Sequence, residues 1–323
     1  MAKSPSTCLG VLVLLVMNLA GPPARAVIFY STTSPAYNAT APTGSLAGSG
    51  WQWTGTWGGY EGTPIGPYHF LTAHHVGGNV GDPFVFAGVA YTTTAYFDDP
   101  VSDLRIWEVS GSFPTWAPIY RQSAEVGQNL VVIGAGVGAG APVMVDGALK
   151  GWIWGSTAGV THWGQNTFAG DVDGGSYWGD LLYATFNAGA GPNEADLALG
   201  DSSSPTFIND GTGWTLAGVG AAVDGPFNTT DTGAGFNAAI FDARGLYING
   251  PNWVVVTGTS PVPTGFYATR VSVRAAWIDS IVPSSVSGDT PLLSPGETAV
   301  LAVALAGLGA WYSGRKRPAE PSA

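Results

Sequence analysis

One cysteine, Cys8, occurs among 323 residues, so no intrachain disulfide can form and no thiolate set can hold a metal. Charge is scarce as well, with Asp, Glu, Lys and Arg making up 10% of the chain. Of the 11 Lys and Arg, five lie before residue 27 or after residue 297, which leaves six in between against 21 acidic residues in the same stretch. So acidic a body lacks the electrostatic footprint for a phosphate backbone, and nucleic acid is excluded as an expected partner. The apolar runs near the two termini, residues 9–20 and 299–312, are shorter than the roughly 20 residues of an independent membrane-spanning helix. Helical periodicity is sparse too: one stretch, residues 271–282, sets Val271, Ala275, Ile278 and Val282 at helical spacing.

Glycine, proline and aromatic residues fill the space. With 48 Gly, 23 Pro and short runs rich in Val, Thr, Tyr, Trp and Phe between Gly/Pro/Asn/Asp clusters, the chain reads as all-β. There is no internal repeat. A body of roughly 250 residues buries enough surface to fold without disulfides. Trp51, Trp53, Trp57 and Tyr60 fall in what reads as a first hairpin and are expected in the core. The run Val131-Val132-Ile133-Gly134-Ala135-Gly136-Val137-Gly138-Ala139 mimics a dinucleotide-binding turn, but Gly140-Ala141-Pro142-Val143-Met144-Val145 continues as loop and strand where that turn needs a helix. Asp171-Val172-Asp173-Gly174-Gly175 lacks the later glutamate of a hand-type calcium loop and reads as a turn.

The ends carry addresses. Lys3, the apolar residues 9–20 and Ala24-Arg25-Ala26 read as a secretory signal over residues 1–26, removed before Val27 and taking Cys8 with it. Residues 284–297 are a polar linker. Residues 298–323 combine an apolar segment with Arg315-Lys316-Arg317, a pattern of cytoplasmic retention. With Ser294-Pro295-Gly296-Glu297-Thr298 before it, this tail resembles the tripartite C-terminal sorting signals of the Pro-Glu-Pro type, although Pro-Glu-Pro itself is absent. The resemblance implies an exosortase-type sorting enzyme as a partner; the other reading is a simple C-terminal membrane anchor.

Three segments carry chemistry: Phe70-Leu71-Thr72-Ala73-His74-His75-Val76, Ser102-Asp103-Leu104-Arg105-Ile106 and Gly200-Asp201-Ser202-Ser203-Ser204-Pro205. A serine hydroxyl becomes a nucleophile at neutral pH when a histidine takes its proton, and a buried carboxylate must orient that histidine. The order His, Asp, Ser is one of several in which such triads occur. Laid on these residues, the chain resembles the chymotrypsin/trypsin-like serine protease family. The family's Leu-Thr-Ala-Ala-His pattern falls on Leu71-Thr72-Ala73-His74-His75 and selects His75 over His74. Asp103, directly before an apolar strand, is preferred to Asp98-Asp99-Pro100, which reads as a turn. Trp214-Thr215-Leu216-Ala217-Gly218-Val219 resembles the family's strand after the active serine, and Gly265-Phe266-Tyr267-Ala268-Thr269-Arg270-Val271 its closing strand before a terminal helix.

The resemblance covers residues 45–283 and implies a double six-stranded β-barrel with a C-terminal helix, barrel one spanning about 27–122 and barrel two about 123–283. It implies a monomeric endopeptidase with catalytic His75, Asp103 and Ser202, an oxyanion hole from the N–H groups of Gly200 and Ser202, peptide or protein substrates, and neither metal nor organic cofactor. Asp196, six residues before Ser202, falls at the base of the family's specificity pocket, where an aspartate selects Arg or Lys; Ala221, Ala222 and Val223 fall on its wall. Asp201 is the residue that pairs with a freed N-terminus in many relatives, which would here be Val27-Ile28 after signal cleavage. Ser203-Ser204 stands where the family has Gly-Gly, adding a Cβ beside the nucleophile. That departure leaves open a second class of function, a catalytically inert envelope or adhesion module.

Overall fold

The computed structural model of the chain describes residues 27–282; the expected signal, linker and sorting segment lie outside the described residues. After a two-residue strand, β1 (Ile28–Phe29), come β2 (Gly55–Trp57), β3 (Tyr60–Gly66), β4 (His69–Ala73), β5 (Pro83–Phe86), β6 (Val89–Asp98) and β7 (Leu104–Val109). These six close into an antiparallel barrel in the order β2-β3-β4-β7-β6-β5, with β5 pairing back to β2. Aromatic rings fill it: Trp57, Phe70, Phe84, Phe86, Trp107 and Phe113 form one cluster, with Phe70 stacked on Phe84 at 3.9 Å. Such pairs add about 0.5–1.5 kcal/mol beyond the burial of their area, which helps a barrel without disulfides. Trp57 is in this core as expected, whereas Trp51 and Trp53 are half-buried on a short 3₁₀ turn and Tyr60 is half-buried on β3.

The second half runs β8 (Asn129–Gly134), β9 (Ala139–Val145), β10 (Ala148–Trp154), β11 (His162–Asp173), helix α1 (Gly175–Trp178), β12 (Asp180–Thr185), β13 (Ala195–Asp196), β14 (Pro205–Asn209), β15 (Trp214–Val223), β16 (Ala238–Ile240), β17 (Tyr247–Ile248), β18 (Val254–Val255), β19 (Gly265–Arg270) and helix α2 (Ala275–Ile281). A second closed barrel forms in the order β11-β12-β19-β15-β14-β8. The chain thus has the double-barrel, trypsin-like all-β fold that the resemblance implies. The apolar run in β8 follows from burial on both faces. Leu130 and Val132 point into the second barrel, while Val131 and Ile133 join Leu71, Ala73, Leu104, Ile106, Phe207 and Leu216 in a seam between the barrels. Ile278 and Val282 cap the same seam, and the expected helix over 271–282 is a 3₁₀ turn, Ser272–Arg274, running into α2.

Three local expectations change. Residues 171–173 end the long strand β11, and the turn begins at Gly174. β9 and β10 form a hairpin outside the barrel ring, joined by β16 into a three-stranded sheet. Its turn is Asp146-Gly147, with φ of 49° and 77°, the backbone that suits a two-residue hairpin. This accessory sheet has its own core, with Val143, Phe227, Ala238, Ile240 and Leu246. Finally, β1 pairs antiparallel with β13, and Val27 and Phe29 pack into the core of barrel two, so the first described residues belong with barrel two rather than barrel one. Among the described residues no helix is long and apolar enough to cross a membrane.

Candidate active site

β4 ends at Ala73 and the chain turns once in a 3₁₀ segment, His74–Val76, which carries His75 into the seam. Directly before β7, Asp103 is 1% exposed and both of its carboxylate oxygens are used. Oδ1 accepts the backbone N–H of His75 at 2.9 Å, and Oδ2 lies 2.6 Å from His75 Nδ1. The His74 N–H is held by the Asp103 carbonyl at 3.0 Å. Because a carboxylate only accepts, Nδ1 carries the proton and Nε2 is left as an acceptor. Nε2 lies 2.8 Å from Ser202 Oγ. The result is a continuous hydrogen-bonded chain Asp103–His75–Ser202 drawn from both barrels. Trp178, at the end of α1, packs edge-on against the His75 ring at 5.6 Å.

The neighbours left aside have other partners. His74 is half-buried and lies 3.7 Å from Asp98, which takes two hydrogen bonds from Arg105. Asp99 accepts from Ser102 Oγ at 2.6 Å and from Arg274 at 2.5 and 2.6 Å, tying the turn before Asp103 to the chain just ahead of α2.

The serine corner lies between β13 and β14. Gly200 has φ of 92°, in the region that glycine enters at no steric cost. The N–H groups of Asp201, Ser203 and Ser204 donate to the carbonyls of Ala198, Gly220 and Asp201. Those of Gly200 and Ser202 have no acceptor among the described residues, which leaves both available to an anion. Ser203 also has positive φ, 72°, and its hydroxyl accepts the Ala73 N–H at 3.0 Å across the seam.

Beneath the corner lie carboxyl groups. Asp201 accepts from the N–H groups of Gly136 at 2.7 Å and Ala198 at 2.9 Å, and from the Val27 N–H. Burial nevertheless pushes its pKa up to about 7. Glu61, on β3, is also fully buried; burial first, and the Asp201 charge second, raise it well above the usual carboxylate range, and Ser204 Oγ donates to it at 3.3 Å. The glycines that mimic a nucleotide turn explain themselves here. A Cβ on Gly134 would lie 2.2 Å from Asp201 Oδ1, and one on Gly136 would lie 2.6 Å from the Leu199 carbonyl oxygen and 2.7 Å from the Asp201 nitrogen.

Beside Ser202 opens a pocket of about 180 Å³, lined by Trp154, residues 197–202 and residues 221–223. Ala221, Ala222 and Val223 are among its lining residues. Asp196 is not among its lining residues: as part of β13 it pairs with Ile28 of β1, is buried, and accepts the N–H of Leu197 at 2.9 Å. Burial, then the charge of Asp224, holds it well above the usual carboxylate range. Asp224 itself is bound by the hydroxyls of Tyr183 at 2.6 Å and Tyr267 at 2.9 Å. A second, larger pocket of about 530 Å³, lined by Trp57, Val76, Pro83 and Val85 among others, opens on barrel one past the His75 turn. No group of three or more metal-ligating side chains occurs among the described residues. The sequence matches no known family model and no curated protein, so the site is read from its own geometry.

Proposed function

We propose that this protein is an exported serine endopeptidase that cleaves peptide bonds through an acyl-enzyme intermediate. The observation that carries the reading is the relay Asp103–His75–Ser202, with contacts of 2.6 and 2.8 Å. Ser202 Oγ attacks the scissile carbonyl as its proton passes to His75 Nε2. The tetrahedral oxyanion that forms is met by the N–H groups of Gly200 and Ser202, and His75 then returns the proton to the leaving amine. Water, deprotonated by the same imidazole, releases the acid. None of these steps calls for a metal or an organic cofactor.

Processing belongs to the same reading. Val27 holds φ of 43°, a region that β-branched residues avoid, while its N–H faces Asp201. Cleavage before Val27 would abolish that torsion and turn the amide into an ammonium beside a buried carboxylate, ordering the residue next to Ser202. The tail over residues 298–323 would then sort or anchor the enzyme at the cell envelope, with an exosortase-type partner. The test is labelling by a fluorophosphonate probe of the protein beginning at Val27, of the precursor with the preceding peptide bond intact, and of Ser202→Ala. Labelling of the first, at least about tenfold slower labelling of the second and none of the third are expected. A folded, correctly processed protein that does not label would refute the enzyme and favour the inert envelope module.

A further inference from the structure

Resting on the endopeptidase reading, we propose that the pocket beside Ser202 selects an uncharged, apolar side chain on the acyl side of the scissile bond, and that Trp154 of the accessory sheet is a determinant of that choice. Once a carbonyl carbon sits over Ser202 Oγ with its oxygen toward the N–H groups of Gly200 and Ser202, the side chain on its acyl side lies at the mouth of the cavity that Gly200 and Ser202 themselves line. Most of the residues lining that cavity are apolar: Trp154, Leu197, Ala198, Leu199, Ala221, Ala222 and Val223, beside Gly200, Asp201 and Ser202. At the rim, Leu199 is 64% exposed, and covering it by substrate removes apolar area from water. A volume of about 180 Å³ admits a leucine, methionine or phenylalanine side chain.

Geometry disfavours a cationic side chain. Asp196 contributes no surface to the pocket, being fixed in the β1–β13 pairing with its carboxyl on the Leu197 N–H. The acidic residue of the lining, Asp201, turns its carboxylate to the N–H groups of Gly136, Ala198 and Val27. A guanidinium or ammonium group would therefore be buried against hydrocarbon without a partner. Trp154 reaches the pocket from β10 and presents its indole as part of the lining.

Turnover of peptide anilides that differ only in the residue before the scissile bond tests this on the processed protein. Leu, Met or Phe should exceed Arg and Lys in kcat/KM by at least about 100-fold, as expected when an unpaired charge must otherwise be buried. Val223→Gly, which removes a wall side chain, should shift the Phe-to-Leu ratio about tenfold toward Phe. Trp154→Ala should reduce discrimination among the apolar residues, while Trp154→Phe retains most of it. Arg or Lys substrates cut as well as Leu, or ratios unmoved by both the Val223 and the Trp154 variants, would overturn the assignment of the pocket even though Ser202 labels. A folded protein that neither labels at Ser202 nor cuts any peptide would overturn the endopeptidase reading, and this inference with it.

Discussion

Ser203 shows how a residue can be wrong for its backbone and right for its neighbours. At φ 72° its Cβ costs about 1 kcal/mol relative to glycine. Its buried hydroxyl offsets that cost by accepting the Ala73 N–H, 130 residues away on the strand that delivers His75. The pair fixes the corner that carries Ser202 against the strand that leads to His75. Both Ser203→Gly and Ser203→Ala leave the Ala73 N–H unpaired, but only the alanine keeps the strained torsion. Chemical denaturation should therefore rank Ser203→Ala below Ser203→Gly by about 1 kcal/mol, with both below the parent in the rate of probe labelling. Equal stability of the two variants would remove the strain argument. His75, Asp103 and Ser202 were legible in the sequence because each sits inside a short contiguous motif. Glu61 was not: its partner Ser204 is 143 residues away, and nothing local distinguishes it from a surface glutamate. Trp154 and Trp178 were hidden for the same reason.

The loop after β8 is an element whose glycines make sense through what they approach. Gly134 and Gly136 let that backbone come close enough to bind the Asp201 carboxylate and to meet the turn at Leu199 and Gly200. Read as a string, the same glycines suggest a phosphate-binding turn; the strand-like residues after them excluded it, and the structure supplies their physical use. Gly136→Ala would place a Cβ 2.6–2.7 Å from backbone atoms of the serine corner, where no rotamer change relieves it. Labelling should fall by at least about 100-fold, the order lost with one oxyanion-hole donor, while the overall β signature in circular dichroism persists. Wild-type labelling by Gly136→Ala would show that the corner tolerates displacement. The all-β character was legible from short apolar runs between turn residues, whereas the two barrels followed only from the family resemblance. The accessory sheet was only half so, since the strand after residue 138 could be read but not its exclusion from the ring.

For the whole molecule, the absence of disulfides places the burden of cohesion on the apolar seam, and the buried acids make that cohesion depend on pH. Glu61, Glu194, Asp196 and Asp201 are all raised by burial, Glu194 and Asp201 to about 7, against roughly 4 in an unfolded chain. Folding of the chain not cut before Val27 then takes up protons, so the stability that Glu194 and Asp201 contribute is full below about pH 4 and is lost as the pH rises through about 7, with Glu61 and Asp196 acting in the same direction. Glu125 and Asp279, pulled down by Arg270 and Arg121, act in the opposite sense, and only at lower pH. The melting temperature should be higher at pH 5 than at pH 8, and Glu194→Gln should narrow the gap; a profile flat or rising over that interval would refute the account. The sheet of β9, β10 and β16 lies outside both rings, since neither barrel needs it for closure. Its inner side is not free of the rest of the molecule, because Ala139 and Trp152 pack with Ile28 of β1 and with Ala198 just before the serine corner, so any exchange of that hairpin has to keep this inner face.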